Sequence, residues 1–167
     1  SPGIPDNASP LIWAQTFNVP TISEIEAASV LCPASIIAIT GTNGKTTVTA
    51  LIGKVLTAAG KKVSICGNIG NPFCGEVHKI EPDSFVSLEV SSFQLERIKT
   101  FKPKISVILN FTCNHLDRYK DMQGYLAAKK RIFLNQDASD YLVLNFDDPI
   151  IRELAREAKA HAVYFSK

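Results

Sequence analysis

The stretch Ile36-Ile37-Ala38-Ile39-Thr40-Gly41-Thr42-Asn43-Gly44-Lys45-Thr46-Thr47 passes from an apolar run through a glycine-bearing turn into a helical pattern. Its first four residues show no polar alternation, which suits a strand buried on both faces. Over 46–59 the apolar residues Val48, Leu51, Ile52, Val55 and Leu56 form the stripe of an amphipathic helix. Gly60 stops that helix, with Lys61 and Lys62 at its negative end. A glycine turn between strand and helix offers backbone N–H groups and a positive helix end to phosphate. In this setting Lys45 reaches β- and γ-phosphates, and Thr46 places its hydroxyl on Mg²⁺. The strict P-loop spacing requires a glycine where Ile39 stands, so residues 41–47 form a shortened variant led by Gly41.

Similar apolar runs recur along the chain: Val63-Ser64-Ile65, Phe85-Val86-Ser87-Leu88, Ile105-Ser106-Val107-Ile108-Leu109, Tyr141-Leu142-Val143-Leu144 and Ala162-Val163-Tyr164-Phe165. Helical patterns fall between them, among others over 123–134 and 150–159. This alternation predicts an α/β fold: an open, parallel, doubly wound sheet of P-loop type with helices on both faces. Residues 1–34 read differently. Pro2, Pro5, Pro10 and Pro20 break any long element, and Ser23-Glu24-Ile25-Glu26 is a capping-box pattern that opens a short helix to about residue 30. The expected division is a linker and packing helix over 1–34, closing a preceding domain, and an ATP-binding domain over 35–167.

With 167 residues the chain has room for about one domain, at ~150 residues each. A hydrophobic fraction of 46% with 20% charged residues excludes a disordered tail or a coiled coil. The net charge of +2 gives no nucleic-acid or membrane-surface signal. No apolar run approaches the ~20 residues needed to span a bilayer. Cys32, Cys66, Cys74 and Cys113 lack the close pairing of a zinc site and read as small buried or half-buried thiols.

Each strand is succeeded by a polar group. Glu89, after the third apolar run, is placed either to hold Mg²⁺ or simply to begin the solvated loop. His115, in the polar cluster after Asn110, can ligate a metal or hydrogen-bond a substrate anion; His78 and His161 read as surface residues. Lys129 falls on the apolar stripe of Met122, Tyr125, Ile132 and Phe133, where an amine loses its charge readily. By periodicity alone a snorkelling lysine is the expectation, and the frame through Leu126, Lys130 and Phe133 stays open. Asn68 and Asn145 sit in turn-rich loops, and each side chain can pair with an adenine edge.

Taken together, these residues resemble the Mur ligase family, the ATP-dependent amino-acid-adding enzymes of bacterial cell-wall synthesis. The resemblance runs from about residue 35 to 149. It rests on the loop of residues 41–47, Gly67-Asn68-Ile69-Gly70, Asn110 with His115-Leu116-Asp117-Arg118, Ala128-Lys129, and Asn145 with Asp147-Asp148-Pro149. The loop by itself is also similar to that of folylpolyglutamate synthases. A P-loop kinase or NTPase, and a nucleotide-binding module without activity, are the other readings. Glu89-Val90-Ser91-Ser92-Phe93-Gln94-Leu95-Glu96 resembles the D-glutamate-adding branch of the family, and Ser1-Pro2-Gly3-Ile4 resembles the segment that closes that branch's first domain.

The resemblance implies the central domain of a three-domain, monomeric enzyme of the bacterial cytoplasm. Its partners would be the N- and C-terminal domains of the same chain. Its substrates would be UDP-N-acetylmuramoyl-L-alanine and D-glutamate, joined through an acyl phosphate at the cost of ATP. It implies further that Gly41, Thr42, Asn43, Gly44, Lys45, Thr46 and Thr47 cradle the phosphates. Thr46 and Glu89 would hold one Mg²⁺, and His115 and a carbamylated Lys129 a second. Asn68 and Asn145 would sit by the adenine, and Ser91, with Asn68 and His115, near the muramoyl substrate. Two positions depart from the family pattern: Asn114, where Asp is frequent, and Phe146, where a small residue is usual.

Overall fold

The structure, a computed structural model, describes residues 4–5, 7–112, 119 and 121–167. Six strands, β1 (Ser35–Thr40), β2 (Val63–Gly67), β3 (Phe85–Glu89), β4 (Ile105–Ile108), β5 (Tyr141–Asn145) and β6 (His161–Phe165), form one sheet in the order β2-β3-β1-β4-β5-β6. Every neighbouring pair is parallel. The helices are α1 (Ser9–Thr16), α2 (Glu24–Leu31), α3 (Lys45–Ala58), α4 (Phe73–Glu76), α5 (Ser92–Leu95), α6 (Met122–Lys130) and α7 (Pro149–Glu153). The chain leaves β1 for the edge strand β2, returns through β3, then crosses to β4 on the other side of β1. That reversal places the switch point of the sheet at the carboxyl end of β1, where open α/β sheets bind ligands.

Alternate residues of the strands feed two cores. Ile36, Ala38, Val86, Leu88, Ile108, Leu142 and Leu144 face α4–α7, together with Ile25 and Ala28 of α2. Ile37, Ile39, Val107 and Leu109 face the other way, beneath Val48, Ile52 and Leu56 of α3. The stripe expected for α3 is only partly the buried one. Leu51 and Val55 are 57% and 59% exposed, whereas Thr49 and Gly53 are buried. A Cβ at Gly53 would stand 2.3 Å from Ile65 Cδ1, so it is the lack of a side chain that lets α3 lie close to β2.

Before β1 the chain forms no long element, but the eight-residue α1 forms in spite of Pro10. Proline in the first turn forfeits an N–H that has no helical acceptor anyway. At α2, Ser23 caps the helix by accepting from the Glu26 amide at 3.4 Å. The Glu26 carboxylate instead takes the backbone N–H groups of Lys99, Thr100 and Phe101 at 2.8–2.9 Å and the Thr100 hydroxyl at 2.6 Å. It thereby ties α2 to the loop before β4. Cys66 is buried, and burial above all pushes its thiol up to about 12. Cys32 is half-buried, but Cys74 is exposed, against expectation, and Cys113 lies outside the described residues. His161 stands on β6 against the Tyr141 ring. Among the described residues no helix is long and apolar enough to cross a membrane.

Candidate active site

Register aligns the strand ends: Ile39 pairs with Glu89, Gly67 with Glu89, Thr40 with Ile108, and Leu144 with Ile108. The loops that leave these strands therefore open on one edge. Gly44 is the N-cap of α3 at φ 80°, a conformation costly for residues with a Cβ. No side chain caps this helix, and no acidic residue stands in its first turn. The amides of the first turn have no intrahelical acceptor, so the positive end of a fourteen-residue helix faces the sheet edge without a counter-charge from its own turn. Lys45 arches back over the loop, its Nζ donating to the carbonyls of Gly41 at 3.1 Å and Thr42 at 3.0 Å. Thr47 is exposed in the same turn.

Glu89 is buried yet not solitary. Its Oε2 accepts from Thr46 Oγ1 at 2.8 Å and its Oε1 from Asn68 Nδ2 at 2.9 Å. The Asn68 amide also donates to the Glu89 carbonyl at 2.9 Å. A hydroxyl and a carboxylate oxygen are the hard donors that suit Mg²⁺, and Thr46 Oγ1 and Glu89 Oε2 stand side by side at the end of the loop. The residues present thus fit one Mg²⁺.

Lys129 is 2% exposed, which corrects the snorkelling expectation: the amine points inward. Its Nζ donates to Gly41 O at 2.8 Å and stands 4.6 Å above the Tyr125 ring. Burial first, and the nearby Lys45 charge second, bring its pKa down to about 7. Lys130, the alternative, is half-buried and ion-paired to Glu157 at the surface. His115 lies outside the described residues.

The topology separates the two asparagines expected at one base. Asn68 comes just after β2 and Asn145 ends β5, with β3, β1 and β4 between them, so at about 4.8 Å per strand they stand roughly 19 Å apart. No single adenine reaches both. Asn145 donates through Nδ2 to Leu109 O at 3.1 Å and accepts from the Asp147 amide at 3.0 Å. Phe146 beside it is half-exposed, packed on Tyr164 and under the Arg152 guanidinium. Ser91 is the N-cap of α5 in a capping box with Gln94, at the strand end beyond Glu89.

One participant was not assigned a role from sequence. Asn110, just past β4, accepts at Oδ1 from the amides of Thr42 at 3.1 Å and Asn43 at 2.9 Å, and donates through Nδ2 to Asn43 O at 3.0 Å. Thr42 Oγ1 donates to Thr112 O and accepts from the Thr112 amide. An asparagine ending the strand next to β1 was the available signal, but pairing with a loop so distant in sequence is set by the sheet order.

Among known families, the model of the Mur ligase middle domain matches residues 39–167. A UDP-N-acetylmuramoylalanine–D-glutamate ligase of Caldicellulosiruptor bescii is 48% identical over 168 residues, covering all of this chain and 37% of that protein. One of Geotalea daltonii is 47% identical over 167 residues with the same coverage. The chain thus spans little more than a third of the length of the curated relatives it matches. Among solved structures, the MurF ligase of Thermotoga maritima in complex with ADP superposes with a TM-score of 0.67 at 20% identity, over 86% of this chain and 35% of that one. A UDP-N-acetylmuramate:L-alanyl-gamma-D-glutamyl-meso-diaminopimelate ligase of Neisseria meningitides gives 0.68 at 18% identity, over 97% and 56%. At such identities these likenesses speak to the fold.

Proposed function

The chain belongs to the Mur ligase family, and from that premise we propose that it is the ATP-binding core of an enzyme that joins D-glutamate to UDP-N-acetylmuramoyl-L-alanine. Residues 35–167 form the nucleotide-binding unit in this reading, and residues 1–34 the linker and packing helix that lead into it. The observation that carries the proposal is the uncapped, acid-free N-terminus of α3 beside Lys45 and the Thr46–Glu89 pair. The identity of the relatives supports D-glutamate as the added amino acid.

A carboxylate acylates an amine poorly, so the substrate carboxylate takes the γ-phosphoryl group of ATP first. The amides of Gly44, Lys45, Thr46 and Thr47 bind the phosphates with the helix dipole behind them. Lys45 exchanges its loop carbonyls for the β- and γ-phosphates, offsetting the charge that gathers during transfer. Thr46 and Glu89 hold one Mg²⁺, while Asn68 fixes the free oxygen of Glu89. His115 and a carbamylated Lys129 would hold a second Mg²⁺. When bound, the ions would supply electrostatic stabilisation of the transferred phosphoryl group. The Lys129 carbamate forms when the neutral amine attacks CO₂, making an N–C bond and releasing one proton. The product is an anion suited to a cation where an ammonium would repel it. The amine of D-glutamate then attacks the acyl phosphate, phosphate leaves, and an amide remains.

Ser91 and Asn68, at the β2–β3 side of the loop, fall to the muramoyl substrate. Asn145 and the half-exposed Phe146, on the β5 side, fall to the base. The test uses the complete gene product containing this sequence. Hydroxylamine should trap an acyl phosphate when ATP and UDP-N-acetylmuramoyl-L-alanine are supplied without D-glutamate, and Lys45→Ala should abolish the trap. Phosphate transfer to water or a hydroxyl, with no trapped acyl group, would make the protein another kind of NTPase.

A further inference from the structure

In the phosphate loop the amides of Thr42 and Asn43 do not face the cradle; both turn to the Oδ1 of Asn110. The second half of the same carboxamide acts on the loop differently. Its Nδ2 holds the carbonyl oxygen of Asn43 at 3.0 Å. In a trans peptide the C=O and the N–H of the next residue point in opposite directions. Fixing the Asn43 carbonyl toward Asn110 therefore fixes the Gly44 N–H away from it. Gly44, at φ 80°, has no Cβ to hold that peptide plane in one orientation. Released, the plane can turn over and present a carbonyl oxygen where the donor stood, which opposes an anion.

We infer that Asn110 is a positioning residue for the nucleotide phosphates, locking the Asn43–Gly44 peptide so that the Gly44 amide joins those of Lys45, Thr46 and Thr47 before any nucleotide arrives. The inference rests on the reading of residues 41–47 as the phosphate site. It requires of position 110 a donor and an acceptor held in one plane, which asparagine supplies and aspartate does not. The reciprocal bonds between Thr42 and Thr112 hold the loop to the same segment past β4, so the loop keeps its anchor when the carboxamide is removed.

The test is ADP calorimetry, together with KM values for ATP and for D-glutamate, on wild type, Asn110→Ala and Asn110→Asp in the complete gene product. Asn110→Ala should weaken ADP binding about 10- to 100-fold and raise KM for ATP in proportion. KM for D-glutamate and the ligand-free melting temperature should change little. Asn110→Asp keeps both acceptor bonds but sets an oxygen against the Asn43 carbonyl. It should bind ADP no better than Asn110→Ala, even in salt concentrated enough to screen its charge. Should Asn110→Ala fail to fold, Asn110→Asp carries the test, because it retains the bonds to both loop amides. ADP affinity within about twofold of wild type in either variant overturns the inference. So does a loss that raises both KM values alike and tracks the melting temperature, which marks a merely structural residue. If wild type itself binds no ADP, the phosphate-site reading fails, and the inference with it.

Discussion

Lys45 and Lys129 donate to the same acceptor, the carbonyl oxygen of Gly41, at 3.1 and 2.8 Å. Two ammonium groups converging on one oxygen repel each other, and Lys129 is the buried one. Lys129 has a pKa brought down from 10.5 to about 7, by burial first and by Lys45 second. Between those values the unfolded chain binds a proton at this side chain that the folded chain does not, so stability rises with pH across that window. Below pH 7 both states are protonated, and the full cost of burying the ammonium is felt. Lys129→Met removes the titration. In bicarbonate-free buffer, the urea midpoint of wild type should climb more steeply with pH over this window than that of Lys129→Met. Parallel curves would show that the amine titrates normally.

Thr46 and Glu89 should act as a unit toward magnesium. Thr46→Val keeps the shape of the side chain and deletes the hydroxyl that Glu89 accepts at 2.8 Å. The change leaves one oxygen of the buried Glu89 carboxylate without its donor, so the fold should lose about 1–2 kcal/mol. ADP affinity in the presence of Mg²⁺ should fall about tenfold, the worth of roughly 1.4 kcal/mol. In excess chelator the variant and wild type should bind alike. The comparison is a pair of ADP titrations, with and without the metal, and equal losses in both would remove Thr46 from the metal site.

Strand positions, their parallel pairing and the glycine loop were legible in the sequence because each rests on a local pattern: apolar runs without alternation, a glycine turn, a helical stripe. At the candidate site the pattern of a polar residue at a strand's end singled out Glu89, but it gave no role to Asn110, which stands in the same position after β4. What needed coordinates was everything set by sheet order. Asn68 and Asn145 look equivalent in sequence, and only the three intervening strands put them on opposite sides of the loop. Periodicity placed Lys129 on a buried stripe and favoured a stem running outward to water, whereas it runs inward to Gly41. The α3 stripe misled for a related reason: Gly53, which carries no hydrophobic signal, marks the line of closest approach to the sheet.

Glu26 should be among the most costly residues to remove outside the site. Burial raises its pKa, but the Thr100 side chain and the amides of Lys99, Thr100 and Phe101 outweigh that and hold it below 4.5. Glu26→Ala leaves those three amides without their acceptor and should cost about 3 kcal/mol. A carboxylate with a lowered folded pKa stabilises fully above its unfolded value, and that contribution is lost as pH falls through the folded value. Acidification below pH 4.5 should therefore destabilise wild type more steeply than Glu26→Gln. Denaturant melts across the acid range measure both effects, and identical acid slopes would count against the network.

Gly67 and Gly70 flank one turn, and alanine should separate them. Both have positive φ, 110° and 65°. At Gly70 an added Cβ meets nothing within 4 Å, so Gly70→Ala should cost only the conformational strain, about 1 kcal/mol. At Gly67 the same atom would lie 2.3 Å from the carbonyl oxygen of Glu89, and backbone cannot swing aside as a side chain tip can. Gly67→Ala must push β2 from β3 at their carboxyl ends, at a cost of about 3 kcal/mol or more. The bond from the Asn68 amide to that same carbonyl should break, and Glu89 should lose its set position. Mg²⁺-dependent ADP affinity should therefore fall in Gly67→Ala and stay near wild type in Gly70→Ala. Equal melting temperatures for the two variants would show that the strand ends absorb the extra atom.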